Sequence, residues 1–238
     1  MIVNGYTMEK LEERISYHFQ NKALLEQALT HSSFTNEQKK VKTPNYERLE
    51  FLGDAVLELV SSEYLFQTAK NLPEGEMTKK RASMVCEPAL AFCAKDLELG
   101  KFMRLGKGEE STGGRTRDSI IADGMEAVIG ALYLDSGMEE AKKFIYRFVL
   151  NDLENKQLFY DSKSNLQEVV QANFKEEISY EIAGESGPEH NKAFVARVKL
   201  GKNILGEGSG KTKKAAEQQA AYQALLKLRD KGYVFKKH

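Results

Sequence analysis

Tryptophan is absent from this 238-residue chain, proline occurs four times and cysteine twice, and the charges cancel, 35 Lys+Arg against 35 Asp+Glu. Two cysteines cannot form the disulfide framework on which a small secreted scaffold depends. Cys86 and Cys93 lie seven apart in a stretch that reads as helix, two turns apart on one face. That separation is too long for a disulfide within one helix, so reduced core thiols are expected. No apolar run approaches the roughly 18 residues of a membrane span. The opening residues, Met1 to Lys10, have neither the basic cap nor the apolar run of a secretory signal, and a cytoplasmic protein is expected. A composition of 41% hydrophobic and 29% charged residues is that of a globular chain, neither disordered nor fibrous.

The neutral total hides a division. From Asp161 onward there are 14 Lys+Arg and 10 Asp+Glu, and the preceding residues carry 21 and 25. An acidic front and a basic back suggest two modules, the second suited to a polyanion.

The front reads as a series of helices. Leu24, Leu25, Ala28 and Leu29 make one apolar stripe, and Leu49 to Phe66 a longer one. Residues 72–76 read as a break, with Thr78 as the cap of a helix through Leu90. Gly106 to Gly114, rich in glycine, reads as a loop. Ile120 to Leu134 reads as an intensely apolar helix and Ala141 to Leu153 as an amphipathic one, with no strand pattern among them.

The pattern then changes. Asn151 to Lys163 is polar and reads as a linker region, Leu166 to Phe174 as a short helix. Ile178–Ile182 and Phe194–Leu200 alternate as strands do, and Asn203–Gly208 reads as a short third strand. A helix is expected from Lys213 to Leu228, with Ala216, Ala220, Ala224 and Leu228 on one face. The expected fold is an all-α N-terminal domain followed by a small α+β domain of order α-β-β-β-α.

Chemistry concentrates in two helical segments. At about 100° per residue, Glu47, Glu50, Asp54 and Glu58 share one stripe, with Leu49, Leu52, Val56 and Leu59 opposite. A solvated surface face would show the same stripe. In Ile120–Leu132, however, Asp123 and Glu126 are the only charges, three apart and flanked by small Ala127 and Gly130. A helix apolar nearly all round is a buried one, and buried carboxylates are costly unless paired or metal-bound. If the two faces meet, Glu50, Asp54, Asp123 and Glu126 converge, and a cation would relieve their repulsion. Oxygen ligands alone favour a hard cation, Mg²⁺ with Mn²⁺ as its substitute. His18, His31, His190 and His238 show no paired ligand spacing, and the glycine clusters at 106–108 and 113–114 lack phosphate-loop spacing, so no nucleotide cofactor is expected.

The run Asn45-Tyr46-Glu47-Arg48-Leu49-Glu50-Phe51-Leu52-Gly53-Asp54 resembles the signature of the bacterial ribonuclease III family. Residues 73–78, 110–115 and 118–127 follow in that family's order, and the resemblance extends over nearly the whole chain. It implies an endonuclease domain at 7–152, a linker at 153–160 and a double-stranded RNA-binding domain at 161–231. It implies a homodimeric, Mg²⁺-dependent hydrolase of double-stranded RNA, leaving 5′-phosphate and 3′-hydroxyl ends with short 3′ overhangs. Processing of ribosomal RNA precursors, and of messenger, transfer and small RNAs, is the role so implied. Glu50, Asp54, Asp123 and Glu126 match its metal-site carboxylates, and Asp54 and Glu126 its catalytic pair. Glu47 and Glu74 match acids that position RNA, and Phe51 an aromatic at the dimer interface. Glu58 is outside the family pattern and is expected as solvated surface.

In the back module, Gln167 and Glu168 match residues that meet one minor groove, and the 187–191 loop with His190 matches the element that enters the next. Lys211, Lys213 and Lys214 crowd a helix N-terminus, where lysine is unfavourable unless phosphate occupies the spot. Such contacts read A-form shape rather than base sequence. Two other readings account for part of this pattern: a duplex-RNA-binding regulator with an idle acidic site, and a Mg²⁺-dependent phosphohydrolase of small molecules.

Overall fold

The structure is a computed structural model that describes residues 2–3, 6–37, 44–153, 156, 159, 162–186, 192–210 and 212–233. The chain forms two compact units, Met1–Leu153 and Glu154–His238.

Strands β1 (Ile2–Val3) and β2 (Tyr6–Thr7) open the first unit as a short antiparallel pair, with Ile2 opposite Thr7. Two-residue strands carry too little alternation to be read from sequence, which is why none was expected here. Nine helices follow among the described residues: α1 (Met8–Ile15), α2 (Lys22–Ala28), α3 (Ser32–Glu37), α4 (Glu47–Thr68), α5 (Glu74–Val85), α6 (Glu87–Asp96), α7 (Lys107–Ser111), α8 (Asp118–Ser136) and α9 (Met138–Phe148). Three departures from expectation have local causes. Helix α5 starts straight after Pro73, which stands as its N-cap residue in extended conformation, so the expected break closes at residue 73 and Thr78 lies inside the helix. Cys86 is extended and separates α5 from α6, so Cys86 and Cys93 do not share one helix; neither is in a disulfide, Cys93 being buried and Cys86 half-buried. The glycine-rich 106–114 segment contains α7, five residues long.

Helix α8 is the axis of this unit, with Ile120, Ile121, Met125, Val128, Ile129 and Leu132 all buried. It packs directly on α4. A Cβ placed on Gly53 would lie 1.8 Å from the Glu126 carbonyl oxygen, and one on Gly130 would lie 2.2 Å from that of Leu49. The two backbones therefore touch where each helix has a glycine, and no larger residue fits without separating them. Leu49, Val56, Leu57 and Val60 of α4 join this core, whereas Leu59, placed on the core side by the sequence reading, is exposed. It lies about 200° around the helix from the fully buried Leu57, on a face that α8 does not cover.

The second unit has the expected order: α10 (Ser162–Asn173), β3 (Ile178–Ser186), β4 (Ala193–Leu200), β5 (Asn203–Gly210) and α11 (Lys213–Asp230), with the strands antiparallel in the order β3-β4-β5. Leu166, Val169 and Val170 of α10 and Ala196, Val198 and Leu200 of β4 share a core with the small face of α11. Strand β5 faces that helix through Gly206, Gly208 and Gly210, where added Cβ atoms would meet Ala220 O at 2.2 Å, Ala220 N at 2.3 Å and Ala216 N at 2.6 Å. The alanine spacing on α11 is thus the counterpart of an alternating glycine row on the strand. Ser162 Oγ donates to Gln218 O at 2.8 Å, fixing the start of α10 to α11.

Gly53→Ala should destabilise the first unit by about 1–3 kcal/mol, the range for forcing extra volume into a close-packed contact. Urea denaturation followed by far-UV circular dichroism measures this, and an unchanged midpoint would show that the two helices can separate without cost.

Candidate functional site

The close α4–α8 contact places the acids. Tyr46, the residue before α4, is buried, and its backbone N–H donates to Thr30 O at 2.9 Å. Glu47 and Glu50 stand in the first turn of α4, where the helix dipole favours negative charge. Glu47 and Asp54 are exposed, and Glu50, Asp123 and Glu126 are half-buried.

Electrostatics show that the two helices present their carboxylates to one another. Burial pushes Glu126 up to about 8, and Asp54, Glu50, Asp123 and Glu58 add to the shift. Glu50 is raised by burial first, then by Asp123, Glu47 and Asp54. Burial also raises Asp123, opposed by the hydroxyl of Tyr46, which donates to Asp123 Oδ2 at 3.2 Å, and by His31. Among the described residues none of the four has an ion-pair partner. Neither are any three His, Cys, Asp or Glu side chains among those residues gathered as a closed metal-binding group. The carboxylates of the two helices lie within electrostatic reach of one another. Their chemistry fits a hard divalent cation: oxygen donors only, with Glu50, Asp123 and Glu126 raised in proton affinity, and no lysine or arginine ion-paired to any of the four among the described residues.

Other expected residues are distributed more widely. Glu74 is exposed in the first turn of α5 and accepts from Thr78 Oγ1 at 3.0 Å. Glu58 is not simply solvated surface: it pairs with Arg81 at 2.5 Å, and Arg81 also donates to Ser62 Oγ at 2.8 Å, joining α4 to α5. The sequence reading missed this pair because its partners lie 23 positions apart on different helices. Phe51 is 80% exposed, and Leu59 and Phe66, 58% and 76% exposed, fall within about 80° of it around α4. In the second unit Gln167 and Glu168 are exposed on α10. Lys213 and Lys214 are exposed at the start of α11, capped by Thr212, whose Oγ1 accepts from Ala215 N–H at 3.1 Å. His190 and Lys211 lie outside the described residues.

Residues 21–153 match the Ribonuclease-III-like family and residues 162–228 the double-stranded RNA binding motif. Ribonuclease 3 of Caldanaerobacter subterraneus is 52% identical over 221 residues, 92% of this chain and 96% of that protein. The chain belongs to the ribonuclease III family. It is an endoribonuclease. Ribonuclease 3 of Oceanobacillus iheyensis is likewise 52% identical, over 217 residues that cover 90% of this chain and 95% of the relative. A solved structure of the nuclease domain of ribonuclease III from Campylobacter jejuni superposes with a TM-score of 0.58 at 44% identity, over 62% of this chain and 99% of that one. The α4 and α8 acids of this ribonuclease III chain lie within the matched residues, as do Lys213 and Lys214 within the second motif.

A pH dependence follows from Glu126. Its carboxyl holds a proton in the folded chain up to about pH 8, against 4.5 in the unfolded chain, so folding takes up a proton between those values. Stability therefore falls as pH rises through that window. In chelating buffer the urea midpoint of the first unit should decline from about pH 5 to about pH 8, and Glu126→Gln should flatten the decline. Parallel slopes in the two proteins would remove Glu126 as its source.

Proposed function

We propose that this ribonuclease III hydrolyses phosphodiester bonds of double-stranded RNA with a divalent cation, Mg²⁺ or Mn²⁺, held by Glu50, Asp54, Asp123 and Glu126. The observation that carries the reading is the glycine-to-backbone crossing of α4 and α8, which puts these carboxylates in mutual electrostatic contact without a cationic side chain. Bound there, the cation supplies Lewis-acid stabilisation of the charge that develops at the phosphate and its leaving oxygen. Asp54 and Glu126 are the catalytic pair of this reading. Asp54, exposed, is open to substrate and water, and Glu126, half-buried, is raised by burial and then by its acidic neighbours. The products of this reading carry 5′-phosphate and 3′-hydroxyl ends with short 3′ overhangs. Ribosomal precursors and messenger, transfer and small RNAs in the cytoplasm are its substrates.

In this reading exposed Glu47, in the first turn of α4, and exposed Glu74, in the first turn of α5, help position RNA near the reacting bond. In the second unit Lys213 and Lys214 meet phosphate at the N-terminus of α11, where backbone N–H groups and cations act together. Gln167 and Glu168, with His190 and Lys211, complete the duplex-binding face in this proposal. Phe51, with Leu59 and Phe66, forms an apolar strip that a second copy of the chain would cover. The nuclease domain of Campylobacter jejuni ribonuclease III likewise has a structurally flexible region involved in dimer formation.

Incubating a long perfect RNA duplex with the protein in Mg²⁺ and in chelator tests the central reading. Cleavage should occur only with Mg²⁺. Glu126→Gln should lower its rate by about a hundredfold or more, as loss of a group from a metal site does, with duplex binding retained. A variant cutting at the normal rate would overturn it, and binding without cleavage by the parent protein would instead indicate a regulator. Phe51→Asp should turn a dimer into a monomer in sedimentation velocity, and an unchanged sedimentation coefficient would exclude the α4 strip as the interface.

A further inference from the structure

Tyr46 is 3% exposed, and burying a hydroxyl is costly unless it is hydrogen-bonded. Phenylalanine would fill the same space without that cost. The hydroxyl donates across 77 positions of sequence to Asp123 Oδ2 at 3.2 Å. Burial, together with the charges of Asp123, Glu50 and Glu47, pushes the phenol well above its usual range, so it keeps its proton and acts as a donor. An aspartate carboxylate rotates easily about its last side-chain bond. A fixed donor on one oxygen sets the plane of the whole group and leaves Oδ1 without a hydrogen-bond partner among the described residues.

The tyrosine is itself held from several directions. Its backbone N–H donates to Thr30 O at 2.9 Å, and Gln27 Nε2 donates to the preceding carbonyl, Asn45 O, at 3.0 Å. Its ring packs on that of His31, with centroids 5.5 Å apart and planes inclined by 58°. His31 is anchored in turn. Its backbone N–H donates to Arg104 O at 3.1 Å, and its Nδ1 accepts from Ser33 N–H at 3.1 Å and lies 2.7 Å from Ser33 Oγ. Ser33 Oγ also accepts from Gly106 N–H at 2.9 Å. Backbone and side-chain contacts thus hold the tyrosine from behind, and its hydroxyl reaches Asp123.

We propose that Tyr46 is a positioning residue that orients the Asp123 carboxylate for the divalent cation, braced by His31 and the Ser33–Gly106 contact. The proposal rests on reading Asp123 as one of the metal-site carboxylates. Partners of this kind, behind metal ligands, change metal affinity by about ten- to a hundredfold when removed. Tyr46→Phe keeps the ring and its packing and deletes only the donor.

The test uses the full chain without RNA, titrated with Mn²⁺ by calorimetry, alongside the Mg²⁺ dependence of duplex cleavage and the urea midpoint in chelator. Tyr46→Phe should bind Mn²⁺ about tenfold more weakly and need correspondingly more Mg²⁺ for half-maximal cleavage. Its cleavage at saturating Mg²⁺ and its duplex affinity in chelator should remain near those of the parent. A purely structural tyrosine would move the urea midpoint and leave metal affinity unchanged. Asp123→Asn separates the two levels of the argument. If it weakens Mn²⁺ binding and Tyr46→Phe does not, the positioning role is wrong and the carboxylate site stands. If neither weakens it, the carboxylate site is wrong and the positioning role falls with it.

Discussion

Two glycines in van der Waals contact with opposing backbone govern the first unit. Gly53 against the Glu126 carbonyl and Gly130 against that of Leu49 let α4 and α8 approach as closely as two helices can. Everything distinctive about the acidic pocket follows from that approach. Wider spacing would hydrate Glu50, Asp123 and Glu126 more fully and bring them closer to ordinary acidity. At this spacing burial and neighbouring charge act together, and Glu126, half-buried between the others, is displaced most. The packing that stabilises the unit is therefore also what makes its acids repel one another.

That conflict is resolved locally at one end and left open at the other. Glu58, farther along the stripe, is neutralised by Arg81, in a half-exposed pair contributing at most about 1 kcal/mol. Its greater effect is to limit the negative patch to Glu47, Glu50, Asp54, Asp123 and Glu126. Asp123 is eased by a tyrosine hydroxyl and by His31, which do not remove its charge. The remaining repulsion is what a hard cation would relieve, and without one the same acids would repel a polyanion.

The extent to which this was legible in sequence depended on distance along the chain. The three- and four-residue spacing of Glu47, Glu50, Asp54 and Glu58, and of Asp123 and Glu126, is a helical property and could be read directly. Alternation marked the strands of the second unit, and the four-residue alanine spacing marked the inner face of α11. What escaped was set by tertiary partners. Nothing local distinguishes Leu59, exposed, from Val56, buried, because the difference lies in what α8 covers. Nothing near Tyr46 announces a partner 77 positions away, and Glu58 looked solvated because Arg81 is on another helix. Pro73 resembled the end of one segment, although its extended conformation also suits the residue before a helix.

The glycine row of β5 has a consequence for how this protein can vary. Any single-base change that replaces a glycine codon with one for another amino acid adds at least a Cβ. At Gly206, Gly208 and Gly210 that atom would be driven into the main chain of α11, at 2.2 to 2.6 Å. Glu207 and Ser209, between them, are exposed. Mutational drift along this strand is thus rationed by parity, closed at every second codon and open at the next.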